Sequence, residues 1–525
     1  MKKRILSLVL ALVMILTMVP TAFAGDKGAD ALLELLPGDE AVTGLFLKVL
    51  NGLMPGGEGS SEQEIKEMID KEYKGPYATA DYVPGENSYY VSLGDSTITG
   101  MGTGDAAYGN YGYKTKVPVS APYQVAQALG VDYVQLAMAG LRTTDLRYLL
   151  DASFKGDQYT ELVTNKRIVE EAKSSVDQMR NDYVTELQKA DLITVAIGNC
   201  NFSDFVKAQI YGAIAELLNE QLYDVLNKGL FASMIKEKIS AFIDLGSKTY
   251  EMNWEGYLGA EGKVKLEAAL MDLKAKLIEG GLPEFYPLDL AEIAGESMGM
   301  KLPATVKDKL KLNIPMAELM VYVMECFLYG YVTFVVDFEA AFDKIHEIAP
   351  DAELLVLGMY NPADQLVFTF NGQEIAFGEY YGYMAKSMSL YFQEYAETTE
   401  NTTFVDVYNT ESKADADNGT YDLMTYMMSL SEKINDFYAT PAGHTYMKNQ
   451  ILAALAPQAE GLLGDADGSG AVDYVDAMLV LQYHTGVIGN EGLAVAWCDV
   501  DKSGAVDYVD AMLILQYHTG VISGF

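Results

Sequence analysis

The tightest constraint on how this chain of 525 residues can fold lies near its end. The segment DADGSGAVDYVDAMLVLQYHTGVI (465–488) returns as DVDKSGAVDYVDAMLILQYHTGVI (499–522), with 21 of 24 positions identical at a period of 34. Self-similarity at a fixed period marks one structural unit used twice. Each copy opens on an acidic loop and runs on as an apolar helix. Counting Asp465 as loop position 1, oxygen-bearing side chains fall at positions 3 (Asp467), 5 (Ser469), 9 (Asp473) and 12 (Asp476). Gly470 stands at position 6, where such a loop must turn sharply. The second copy supplies Asp499, Asp501, Ser503, Gly504, Asp507 and Asp510. With the position-7 carbonyls of Ala471 and Ala505, the alternation aims hard oxygens at one point per loop, as Ca²⁺ requires. Two Ca²⁺ ions are expected.

Residues 464–525 resemble a type I dockerin: a duplicated loop and helix, Asp rather than Glu at position 12, and no helix entering the first loop. The resemblance implies a small all-α module that docks, calcium-dependently, onto a cohesin of a cellulosome scaffold. The near-identical copies imply that either helix face can dock. Tyr474–Val475 and Tyr508–Val509 stand at the positions that carry partner choice in that family. His484 and His518 occupy the same place in the two copies and so belong to this module.

The start, MKKRILSLVLALVMILTMVPTAFAG, has a basic head, an apolar run and small residues at Ala22 and Ala24. That is the pattern of a secretory signal peptide, residues 1–24, cut after Ala24. No later stretch is expected to cross a bilayer, which takes ~20 apolar residues. The mature protein is expected outside the cytoplasm, attached to a cellulosome. A net charge of −37 excludes nucleic acid as a partner, because phosphate binding needs clustered Lys and Arg. Cys200, Cys326 and Cys498 lie far apart, with neither a disulfide framework nor zinc spacing.

Residues 25–85 read as an N-terminal helical extension. From Ser88 the pattern turns to strand, loop and helix: SYYVSLGD, APYQVAQALG, VDYVQLAMAG, then SSVDQMRNDYVTELQKA and DLITVAIGN. It resumes late with FEAAFDKIHEIAPDA, ELLVLGMYN and TTFVDVYN. Such alternation predicts an α/β fold with a parallel sheet and helices on both faces. Between about 205 and 333 the alternation stops, and a Met/Leu/Ala-rich region of helical period reads as a helical insertion. The α/β domain is thus expected over 86–457, with a linker at 458–463.

In VSLGDSTITG a strand runs into Gly94-Asp95-Ser96. A serine there stands at the carboxyl edge of the sheet, where open α/β folds bind ligands. Gly-Asp-Ser alone is ordinary turn chemistry. Three further stretches follow in order: QLAMAGLRTTDL with Gly140, ADLITVAIGNCNF with Gly198, and DFYATPAGHTYM with Asp436 and His444. Together with ELLVLGMYNP they resemble the SGNH (GDSL) hydrolases over about 86–457. The resemblance implies a flavodoxin-like sheet and serine esterase chemistry. Ser96 would attack an ester carbonyl, a His oriented by an Asp would take its proton, and the Ser96 and Gly140 N–H groups with an Asn amide would hold the oxyanion.

Two departures stand out. The family's Gly-x-Asn-Asp is Gly198-Asn199-Cys200-Asn201 here, so a thiol, a poor donor, replaces the oxyanion Asn, and Asn199 or Asn201 would have to reach in. Aligned on Gly443-His444, Tyr438 and Ala439 stand where the usual base stands. His346 lies in a helix and two histidines lie in the dockerin, so His444 is the base by elimination or the site is impaired. The expected function is a secreted esterase removing acyl groups, acetyl above all, from plant cell-wall polysaccharide. A catalytically impaired carbohydrate-binding or scaffold-associated protein and a lipase-type hydrolase remain the alternatives.

Overall fold

The structure is a computed structural model. It describes residues 62–73, 75, 77–80, 82–84, 88–103, 112–228, 249–279, 284–289, 311–370, 373–412, 419–422, 438–455, 462–488, 493, 497–501 and 506–525. The signal peptide, most of the expected N-terminal extension and Asp436 lie outside these residues, as do Ser503, Gly504 and Ala505.

Five strands form the central sheet: β1 (Tyr89–Gly94), β2 (Asp132–Gln135), β3 (Leu192–Ala196), β6 (Glu353–Leu357) and β9 (Thr402–Val405). Their order is β2-β1-β3-β6-β9, and every pairing is parallel. Counted within this sheet the order is 2-1-3-4-5, the flavodoxin-like arrangement, as expected. The strands LITVA and ELLVL are buried throughout, which is why they read as continuous apolar runs rather than alternating ones. Helix boundaries follow local chemistry. Ser120 caps the helix Ala121–Leu129 by accepting the Tyr123 N–H, Pro122 sits in its first turn, and left-handed Gly130 ends it.

The expected insertion is only partly helical. It contains the helices Asp204–Lys228 and Trp254–Glu279, the latter kinked at Gly259, but also an antiparallel pair, β4 (Phe285–Asp289) with β5 (Lys311–Pro315). Its expected end at 333 falls inside one 33-residue helix, Met316–Ile348. This helix carries the chain from β5 to β6 and packs on the helix Thr143–Leu150. It is long and apolar enough to cross a membrane by composition, contrary to the expectation that no later stretch is. Half of its apolar window is buried inside the fold, where Phe334, Phe338 and Phe342 interlock with Phe392 and Tyr395. A small sheet, β10 (Thr420–Asp422), β7 (Val367–Phe370) and β8 (Gln373–Ile375), follows β6.

The chain divides into two compact units. One holds the α/β fold to Leu452 and includes the helix Glu62–Glu72, tied to the helix Phe377–Thr398 by Lys66–Glu379 and Lys386–Asp70 pairs at 2.5 and 2.6 Å. The other joins Lys74–Val83 to Ala453–Phe525, through an Ala80 N–H to Ala454 O bond of 2.8 Å. The expected extension 25–85 is therefore shared between the units, and the second unit begins ahead of the expected linker.

Candidate active site and the C-terminal module

The sheet order places its switch point between β1 and β3, and ligands in such folds sit outside the carboxyl ends of the strands there. Gly94 closes β1 at φ +127°, and a Cβ at this position would overlap the Ala196 carbonyl oxygen of β3. Only glycine lets the two strand ends converge so closely. Asp95 then caps the turn Ser96–Thr99, its Oδ1 accepting the Thr97 N–H at 2.8 Å. Burial pushes the Asp95 carboxyl up to about 6, against the hydrogen bonds from Thr97. From Tyr90 to Gly100 every residue is buried except Ser96. The local fold thus hides the whole strand end and leaves one hydroxyl accessible.

Ser96 faces a cavity of about 110 Å³ that Gly140, Asn199, Cys200 and Tyr438 also line. Gly140, at φ +82°, follows β2, and Asn199 follows β3. The structure thus brings together three of the expected site residues. Asn199 is held from both sides: its Nδ2 donates to Thr97 Oγ1 at 3.0 Å and its Oδ1 accepts the Tyr381 hydroxyl at 3.1 Å. Asn201 is not in the cavity. It is fully buried, with Oδ1 accepting the Thr143 N–H at 3.0 Å and Nδ2 donating to Thr143 Oγ1 at 3.1 Å. Between the two candidate amides, geometry therefore favours Asn199. Cys200 does stand in the cavity wall, and burial pushes its thiol well above the ordinary range.

None of the four histidines lines this cavity. His444 lies in the first turn of the helix Pro441–Leu455, with none of its surface exposed. Its Nδ1 accepts the Ala121 N–H at 3.4 Å, its Nε2 has no partner among the described residues, and burial pushes the imidazole down to about 4. The ring is packed against the start of another helix, and the structure does not bring it to Ser96. His346 bonds Thr402, and His484 and His518 lie in the C-terminal repeats. Tyr438 is the block's residue in the cavity, against Gly102. A tyrosine, with an unperturbed pKa of about 10, is a feeble base near neutrality.

Sequence reasoning missed the charged wall of the cavity, made by Arg167, Asp204 and Lys207. Arg167 Nη2 donates to Asp204 Oδ2 at 2.7 Å, and Tyr159 donates to the same oxygen at 2.8 Å. Arg167 comes from an irregular helical turn, Arg167–Glu171, for which no local pattern speaks. Asp204 and Lys207 at least sit one turn apart just after the Gly-Asn-Cys-Asn stretch.

In the C-terminal unit, Asp465, Asp467 and Asp476 bring carboxylate oxygens within 4.8 Å of one another, and Asp499, Asp501 and Asp510 do the same. The loops are shaped around these groups. Ser469 N–H donates to Asp465 Oδ1 and Asp467 Oδ1 at 3.0 and 2.9 Å, and Gly470 N–H donates to Asp465 Oδ2 at 2.7 Å. Asp476 accepts the Ala466, Asp467 and Asp473 N–H groups, and Asp510 accepts those of Val500, Asp501 and Asp507. Burial pushes both position-12 carboxyls up, against the backbone N–H groups that each accepts. An all-oxygen donor set of this kind fits Ca²⁺. Asp473 and Asp507 stand apart from the clusters. Each caps its helix, with Oδ1 accepting the Val475 or Val509 N–H at 2.7 or 2.6 Å.

No curated protein matches this chain. Among solved structures it is similar to an extracellular lipase from Streptomyces rimosus, at 14% identity and a TM-score of 0.29, over 70% of this chain and 100% of that one. It is also similar to phospholipase A1 from Streptomyces albidoflavus NA297, at 13% identity and a TM-score of 0.28, over the same shares. Residues 463–517 match the family model of the dockerin type I domain, which covers both acidic loops and both capped helices. The C-terminal module of this chain is a type I dockerin.

Proposed function

We propose that the α/β unit is a serine acyl-ester hydrolase centred on Ser96, secreted after removal of residues 1–24. Its proposed substrates are short acyl esters, acetyl above all, on plant cell-wall polysaccharides such as xylan and pectin. Two Ca²⁺ ions would order the dockerin for docking to a cohesin of an extracellular scaffold. One observation supports the hydrolase reading above others: the single accessible residue at the end of β1 is a serine, and Gly140 and Asn199 share its cavity. Ser96 Oγ would add to the ester carbon, and the carbonyl pair would move onto oxygen, facing the Gly140 N–H and the Asn199 side. Collapse would expel the sugar hydroxyl, protonated at the expense of Ser96 through water. A second water would then release the acid and restore the serine.

The missing imidazole argues for slow turnover, since a positioned base is worth ~10²–10⁴-fold. The same observation supports a second reading, in which the site binds acylated polysaccharide with little or no hydrolysis.

Acetate release from acetylated xylan and pectin separates the two. We expect slow release by the wild type and at least ~100-fold less by Ser96→Ala. Equal release by both would reassign the nucleophile. Binding of acetylated polysaccharide without release would select the second reading.

A further inference from the structure

In a chain of net charge −37, the cavity beside Ser96 has a wall with two cations, Arg167 and Lys207, and one anion, Asp204. Burial pushes the Asp204 carboxyl up, but Arg167 and Lys207 hold it down at about 2, so it stays ionised. Lys207 Nζ lies 3.9 Å from Asp204 Oδ1, the oxygen that Arg167 Nη2 does not use. Asp204 thus grips one edge of the guanidinium. The Nη1 side rests on Gly140, so close that a Cβ there would overlap it. A guanidinium fixed on one edge by a carboxylate is preorganised, and its planar fork suits a second carboxylate or an anionic oxygen. Cys200 lines the same cavity, and its thiol is a poor hydrogen-bond donor.

We propose that Arg167 is an anion-binding residue of this site, a donor to the oxygen of a bound short acyl group beside the Gly140 N–H, in place of the donor missing at Cys200. The choice of ligand rests on the hydrolase reading; the choice of residue rests on geometry. When Ser96 Oγ bonds to the acyl carbon, the carbonyl pair shifts to oxygen, and that oxygen meets Gly140 N–H and the Arg167 guanidinium. Arg167 gives up no proton. The free acid that leaves presents the same oxygens to the same donors, so acetate is a probe that does not need turnover.

The test titrates sodium acetate into wild-type protein with labelled arginine side chains, and into Arg167→Lys and the double variant Arg167→Met/Asp204→Asn. The double variant removes both charges, so no uncompensated carboxylate is left to unfold the protein. We expect the Arg167 guanidinium resonances to move with acetate in the wild type. We also expect at least a tenfold loss of acetate affinity in the double variant and a partial loss in Arg167→Lys. Acetyl-ester turnover should fall ~100-fold or more in kcat in the double variant, with KM little changed, the pattern of a lost oxyanion donor. No acetate binding by the wild type, or equal binding by wild type and double variant, would overturn the role of Arg167. The wild-type titration decides this even where a variant does not fold. Acetate binding through Arg167 without any Ser96-dependent hydrolysis would leave the inference standing and remove the hydrolase reading.

Discussion

The imidazole of His444 accepts the Ala121 N–H at Nδ1, so its own proton sits on Nε2 and the ring is neutral. Burial holds its pKa at about 4, well below the ordinary value for histidine. The unfolded chain therefore takes up a proton near pH 6.5 that the folded chain refuses until about pH 4. Stability from this group is complete above pH 6.5 and is lost as pH falls toward 4, at a cost of about 3 kcal/mol. His444→Gln should flatten that part of the stability–pH curve, measured by denaturant unfolding at pH 7.5 and 4.5. Acyl hydrolysis per folded molecule should change less than about threefold, whereas a loss of 100-fold would make His444 the base after all. At this scale the sequence was legible wherever a residue is fixed by its own neighbours. The accessible place of Ser96 follows from a strand ending in glycine, and the clustering of Asp465, Asp467 and Asp476 follows from their spacing, whereas Asp473 and Asp507 cap helices instead. His444, Asn201 and Arg167 were not legible, because their roles depend on which distant element each side chain meets. His444 meets the helix at Ala121, Asn201 meets Thr143, and Arg167 meets Gly140.

The strands and helices of the α/β core follow from their periods, since buried parallel strands read as unbroken apolar runs and helices carry caps such as Ser120 and Gly130. Less legible was the region between β3 and β6. There the β4–β5 pair follows helices of the same composition, and the helix Met316–Ile348 runs unbroken through the expected end of the insertion. A helix with an apolar window half buried in the fold shows little of the polar stripe that would mark its boundaries, which is why its composition alone imitates a membrane span. The joint between β1 and β3 is the most sensitive element. Gly94→Ala puts a methyl into the Ala196 backbone at a φ that L-residues avoid, and neither strand end can shift without moving Ser96. We expect a loss of about 3 kcal/mol or more in urea unfolding, along with acyl hydrolysis. Wild-type stability in the Gly94→Ala variant would mean that the strand ends stand farther apart.

As a whole the molecule joins an α/β unit to a separate dockerin, and the two should respond differently to conditions. The small module has a core of few side chains, Ala466, Ala477, Val480, Cys498, Val500, Ala511 and Ile514, so its stability leans on the loops. An ion present at 100 times its dissociation constant adds about 2.7 kcal/mol per site. Chelator should therefore lower the dockerin's unfolding transition in calorimetry by many degrees and leave that of the α/β unit in place. Cohesin binding should vanish under the same treatment and in the double variant Asp465→Ala/Asp499→Ala. Chelator-resistant docking would refute the calcium requirement. Phe525 packs on Tyr517 with ring centroids 4.9 Å apart and rests against Gly464, so the residue before the first copy and a residue just after the second lie side by side. Linking Phe525 to Gly464 and cutting between the copies would exchange two loop-helix units that differ at only three of 24 positions. The permuted module would keep its order of loop, helix, loop and helix, with a shorter segment joining the copies.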